Sequence, residues 1–375
     1  MNNNAFYGNK LRLARTLKGL SQKELGDSVA TSRQFIHQLE AGLRQPAVDV
    51  LNAFCEILQV EPSFFSQPLT NDVKPEQCHF RKRRATTASL IDRVLAFSTL
   101  FEELISYLHE FLNLPLSNIP AIDNVEEPYT AQFIEEAAEN CRKQWKLGLL
   151  APISNFIRIL ENFGIVITQF SGVSEKVDAL SINRKYPIII RNTAKESICR
   201  LRFDLAHELG HFVLHDGLET GDHLTEAEAN RFASAFLLPR AAFLKEFPNL
   251  LGKNIPWNFI YDFKIRWGVS VKAIIYRAHS LGLLNAQQYR GANVFLSKSG
   301  QTRVEKFDDK IKPEEPELFP KAIEMMAKIG VSPTKIAQKM GICPSLFSDL
   351  TGVAIKENVP DNVIPFFQKR LIHSI

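Results

Sequence analysis

Residues 204–215 read D-L-A-H-E-L-G-H-F-V-L-H. A spacing of four sets His207 and His211 about 40° apart on one face of an α-helix, where both imidazoles can ligate a single ion. Glu208 lies beside them, placed to polarise a zinc-bound water and take its proton. Leu205, Leu209, Phe212, Val213 and Leu214 are apolar, and Gly210 lets another backbone approach closely. The pattern predicts a buried helix over 198–215 that carries a zinc site, rather than two satisfied core histidines.

A third ligand must come from a neighbouring element. The position six after His211 is Gly217, so a third histidine at that spacing is ruled out. The following tract, T-E-A-E-A-N-R-F-A-S-A-F-L-L-P, predicts a second helix with two candidate carboxylates. On a helical wheel its apolar face centres among Ala229, Phe232, Ala233, Phe236 and Leu237. Glu226 falls about 50° from that centre and Glu228 about 110° from it, which favours Glu226 as the inward ligand. Asn230, one turn later on the same face, is placed to orient a histidine. His223 precedes the helix as a further candidate ligand or transition-state donor.

Around this pair, residues 130–147 and 152–162 read as helices, and Gly164–Phe170, Val177–Ile182 and Tyr186–Arg191 as three strands separated by polar turns. Residues 257–290 read as two or three further helices. The fold class expected is therefore mainly α with a small β-sheet, α+β. The 375 residues call for two or three domains, and the 45% hydrophobic content supports a sizeable core. Apolar runs are too short for a membrane span, and the basic first twenty residues lack a signal-type apolar stretch. Cys55, Cys78, Cys141, Cys199 and Cys343 are scattered, with no C-x-x-C pair. These features point to a cytoplasmic protein, free of membrane, whose metal is held by ligands other than thiols.

The first 67 residues carry a second signal. Leu11, Ala14 and Leu17 recur at helical spacing. Ser21 stands three residues before Glu24 as a capping box, and Ser32 caps a third helix with Ile36 and Leu39. Gly42 ends that helix, and Pro46 precedes a fourth through Val50, Leu51, Phe54 and Leu58. Five short helices with a tight turn between the second and third describe a helix-turn-helix domain. The third helix would enter the major groove of double-stranded operator DNA. The contact set expected is Ser32, Arg33, Gln34, His37 and Gln38 on that helix, with Gln22 and Arg44 at phosphates. The region carries only about one net positive charge, so the motif carries more weight here than electrostatics.

Two resemblances follow from these motifs. S-Q-K-E-L-G-x-S-V-A-T-S-R-Q-F-I-H-Q-L-E-A-G-L-R-Q-P closely resembles the Cro/XRE-type repressor family over that whole domain, which implies sequence-specific DNA binding as a homodimer. R-F-D-L-A-H-E-L-G-H-F-V-L-H with E-A-E-A-N-R-F-A-S-A-F-L-L-P looks like the ImmA/IrrE metallopeptidase family over roughly residues 130–290. That second resemblance implies a gluzincin-like fold in which His207, His211 and Glu226 bind Zn2+ and Glu208 is the catalytic base. It also implies a protein substrate: a partner repressor of the helix-turn-helix class, whose cleavage relieves repression. His215 fits a histidine at the end of the family motif and is read as orienting or structural.

The organisation expected is a helix-turn-helix domain over 1–67, a connector with a long helix over 68–127, the zincin domain over 128–300 and a C-terminal helical domain over 301–375. The connector contains the basic run Arg81-Lys82-Arg83-Arg84, read as a solvated face or a phosphate-contacting extension. In the C-terminal part, S-P-T-K-I-A-Q-K-M-G-I-C-P-S-L-F-S-D-L reads as helix, turn at Gly341 and helix. Its second helix lacks basic residues, which favours a structural or protein-interaction role over base readout. The competing reading of the whole chain is a repressor or antitoxin-like regulator whose zincin domain is a non-proteolytic sensor or scaffold.

Overall fold

A computed structural model describes residues 5–69, 72–73, 78–80, 88–120, 122, 128–169, 179–191, 197–218, 220–250 and 252–355. The basic run at 81–84 falls outside these residues. The chain is mainly helical with one small sheet, as its periodicities predict.

The head begins with α1 (Gly8–Leu17), α2 (Gln22–Ser28), α3 (Arg33–Glu40) and α4 (Val48–Leu58). The fifth expected helix is a short 3-10 turn, Pro62–Ser66. Ser21 and Glu24 form a complete capping box at the start of α2, and Ser32 Oγ accepts from Phe35 N. Leu11, Leu25, Ile36, Leu39 and Phe54 are buried between these helices. The connector supplies a strand, β1 (Cys78–Phe80), and then the long amphipathic helix α5 (Ala88–His109).

The second half continues with α6 (Ala131–Gln144) and α7 (Phe156–Asn162). Next come β2 (Val166–Gln169), β3 (Ala179–Ile182) and β4 (Ile188–Arg191), inside the three strands predicted. The sheet order is β1-β3-β4-β2, with β1 antiparallel to β3, β3 antiparallel to β4 and β2 parallel to β4. Its alternation divides the interior. Val166, Ile182, Ile188 and Ile190 face a core shared with the head and α5, while Ile167 and Ile189 face a second core.

That second core is built by α6, α7, α8 (Ile198–Leu214), α9 (His223–Leu237), α10 (Arg240–Glu246), α11 (Trp257–Trp267), α12 (Val271–Ser280) and α13 (Ala286–Lys298). The acidic stretch 313–316 joins this core through the buried Glu314. Glu314 accepts from Phe156 N and Ile157 N at the start of α7 and forms an ion pair with Arg202 of α8.

α14 (Leu318–Lys328), α15 (Pro333–Met340) and α16 (Pro344–Thr351) end the described chain. Their Phe319, Ile323, Met326, Ile336 and Phe347 belong to the same core as the head. The contact includes main chain: Glu61 N donates to Gly341 O at 2.7 Å and Cys343 N to Gln59 O at 3.1 Å, around a bridge between Val60 and Ile342. Gly341 has φ +67°, and a Cβ there would stand 2.6 Å from Phe64 N. Only glycine allows that approach. The C-terminal helix-turn-helix pattern is thus fastened against the head.

Candidate metal centre

α8 and α9 pack side by side. Gly210 is the reason they come so close: a Cβ there would stand 3.2 Å from both Ala229 Cα and Ala229 O. The contact brings Glu226, in the first turn of α9, over the paired histidines. His207 Nε2 and His211 Nε2 are 3.1 Å apart, Glu226 Oε2 is 3.5 Å from His207 Nε2, and Glu226 Oε1 is 3.5 Å from His211 Nε2. Ligand atoms arranged tetrahedrally around zinc at ordinary bond lengths are separated by about 3.3 Å. The three separations, two of which end on different oxygens of the Glu226 carboxylate, lie near that figure.

Hydrogen bonds behind the imidazoles specify which nitrogens face inward. His207 Nδ1 lies 3.1 Å from Asn230 Oδ1, an acceptor, so Nδ1 carries the proton and Nε2 offers its lone pair. His211 Nδ1 is 3.0 Å from His215 Nδ1, and His215 Nε2 is 2.9 Å from Glu228 Oε2. The consistent assignment runs one way: His211 Nδ1–H donates to His215 Nδ1, and His215 Nε2–H donates to Glu228. Burial lowers the pKa of His215, against the raising influence of Glu228, which suits a neutral relay. Two imidazole lone pairs and a carboxylate therefore converge on one point. Such convergence is repulsive unless a cation sits between the donors, so the donor set fits a zinc ion.

Glu208 and His207 are 4% exposed and His211 2%. The Ser181 hydroxyl, on β3, donates to Glu208 Oε2 and holds that carboxylate beside the histidines. Ser181 sits in register with Ile189, on the face turned to the second core. A serine at that inward position of a strand is the signal that could have marked it.

The wheel placed Glu228 on the outer side of α9, and this is corrected: Glu228 is buried and bonded to His215 and to Tyr129 N at 2.9 Å. The wheel assumes one buried face, whereas α9 is flanked by α8 and α6 together. Glu226 keeps 15% of its side chain exposed, on the open side of the site. His223 lies at the N-terminus of α9 and is exposed; it is not in the cluster His207, His211 and Glu226.

On the head, α3 presents Arg33, Gln34 and His37 to solvent, with Gln38 half-buried. Ser32 is committed to capping α3. Arg44 is exposed, its guanidinium 6.0 Å from the Phe35 ring centre. Gln22, expected at a phosphate, donates here to Glu40 Oε2 at 2.7 Å, and Glu40 also binds Arg15.

Comparison with known proteins separates the same two regions. Residues 11–65 match the helix-turn-helix family, and residues 160–279 match a peptidase family described as the IrrE N-terminal-like domain. An uncharacterized HTH-type transcriptional regulator of Sinorhizobium medicae is 35% identical over 65 residues, 17% of this chain and 47% of that one. One from Sinorhizobium fredii is 27% identical over 73 residues, 20% of this chain and 51% of that one. The chain thus spans about half the length of the curated relatives it matches. The crystal structure of Bacillus thuringiensis PlcR in complex with the peptide PapR7 and DNA aligns over 92% of this chain and 94% of that one. At 13% identity and a TM-score of 0.16 that alignment is too poor to indicate a shared fold. The chain therefore carries a region similar to the Cro/XRE-type helix-turn-helix family at 11–65 and a region similar to the IrrE-like peptidase family at 160–279, each match covering less than half of it.

Proposed function

We propose that this protein is a DNA-binding transcriptional regulator whose second half is a zinc-dependent metallo-endopeptidase, relieving repression by cutting a helix-turn-helix repressor partner or itself. The observation that carries the reading is the His207–His211–Glu226 cluster, with the Nε2 atoms 3.1 Å apart, a Glu226 oxygen 3.5 Å from each, and Glu208 alongside. These three residues would hold the ion through Nε2, Nε2 and a carboxylate oxygen. When bound, zinc supplies Lewis acidity toward a peptide carbonyl and acidifies water.

The remaining chemistry belongs to side chains. Glu208 takes the proton of the attacking water and returns it to the leaving amine. Ser181 keeps the Glu208 carboxylate in one orientation, and Asn230 and the His215–Glu228 pair lock the histidine rings. The head would read the major groove through Arg33, Gln34 and His37 as a homodimer on a two-fold operator.

A second reading has an observation of its own. His207, Glu208 and His211 are almost closed to solvent, as suits a metal-binding sensor or scaffold that does not turn over. Metal analysis of wild type and Glu208→Gln, together with incubation against helix-turn-helix repressors encoded beside it, separates the two. Zinc in both proteins with cutting by wild type alone is the result expected. Zinc in both with no cutting favours the sensor, and a wild-type protein without zinc removes both readings.

A further inference from the structure

β3 is where the sheet meets the metal centre. α8 packs against it, and its Ser181 hydroxyl donates to Glu208. The other side of β3 is not an open edge. It is paired with β1, with Cys78 opposite Ile182, His79 opposite Ser181 and Phe80 opposite Leu180. β1 comes from the connector after the head, outside the region that matches the peptidase family.

A polypeptide presented to Glu208 must run extended past it with its backbone N–H and C=O groups satisfied. Adding a strand to a sheet edge does this directly. The strand order β1-β3-β4-β2 puts β2 two strands away from β3, so the edge beside Glu208 is the one β1 covers. Cross-strand partners share a face of the sheet. Register position 79 therefore lies on the face from which Ser181 reaches Glu208, and the connector backbone runs where a substrate backbone would run. His207, Glu208 and His211 are nearly closed to solvent, while Glu226 keeps 15% of its side chain exposed. Among the described residues the β1–β3 ladder has three residue pairs, and an edge strand held by so few pairs can be exchanged for another extended segment.

We infer that β1 is an intramolecular occupant of the substrate edge: the connector holds the metal centre shut by pairing with β3, and an extended segment of another polypeptide enters by displacing it. The inference rests on the peptidase reading above.

The test uses full-length, zinc-loaded protein and the variant H79P/F80P. Adjacent pairs of an antiparallel ladder alternate between bonded and non-bonded, so proline at both positions removes a ladder donor whichever pair supplies it. The probe is a fluorescent peptide of residues 76–83. Wild type is expected not to bind it, whereas the variant binds it. Binding should restore deuterium-exchange protection to the amides of residues 180–182. Zinc release to a chelator should be at least about tenfold faster in the variant and return to the wild-type rate with peptide present. H79G/F80G keeps every backbone donor, weakens the strand to an intermediate release rate, and replaces the proline pair if that variant unfolds. Equal peptide binding by both proteins, or none by the folded variant, overturns the inference. So does an unchanged zinc-release rate once residues 180–182 exchange faster. Protein that holds no zinc would sink the peptidase reading alone, leaving the peptide and exchange measurements to decide the role of β1.

Discussion

α3 keeps Arg33, Gln34 and His37 in solvent and uses Ile36 and Leu39 to fasten itself to the head. α8 does the reverse, burying His207, Glu208 and His211 and holding them with residues from other elements. Asn230 and Glu226 come from α9, His215 carries Glu228 behind it, and Ser181 comes from β3. The difference is one of separability. Exposed polar side chains contribute little to stability, so the reading face of α3 is free to vary. Buried polar groups are costly without partners, so each residue of the α8 site is tied to the packing around it.

This contrast can be broken at four points. The largest effect is expected at Glu208: Glu208→Gln should keep its zinc and lose about 10²–10⁴-fold in cleavage of the repressor substrate. Zinc lost along with activity would make Glu208 a structural residue. On the other helix, Arg33→Ala and Gln34→Ala together should cost about 1–3 kcal/mol per base contact in operator binding. Thermal unfolding should barely move, by about 0.5 kcal/mol or less; a large shift would show that α3 is not separable from the fold.

Glu228→Ala removes the acceptor at the end of the His211–His215 chain, and zinc affinity measured against a competing chelator should fall about 10–100-fold. An unchanged affinity would reduce that chain to packing. The smallest effect is expected from Gly210→Ala. Its new methyl would meet the backbone at Ala229, costing about 1–3 kcal/mol in unfolding free energy as α9 is pushed outward. Because Glu226 rides on α9, zinc affinity should weaken with it. Unperturbed unfolding would mean the two helices have slack at their contact.

Much of this was legible because it is local. Ser21, Glu24 and Ser32 mark helix starts within four residues of the amides they cap. The strand-like runs 164–170, 177–182 and 186–191, separated by polar turns, marked three strands, each found inside its predicted range. β1 was not legible: three residues between a proline-containing stretch and a basic run have no period to detect. Glu228 was misplaced because a wheel knows one buried face and α9 has two neighbours. The bond from Gln22 to Glu40 was not legible either, because it spans eighteen residues of sequence.

The sequence by itself determined the elements and the spacing that sets His207 and His211 on one helical face, since both follow from interactions within a few residues. Only the tertiary structure decided what surrounds them. Ser181 reaches Glu208, Glu228 stands behind His215, α14 to α16 share a core with the head, and the connector strand closes the β3 edge. Those contacts depend on which elements meet in space, and residues far apart along the chain carry no period that announces it.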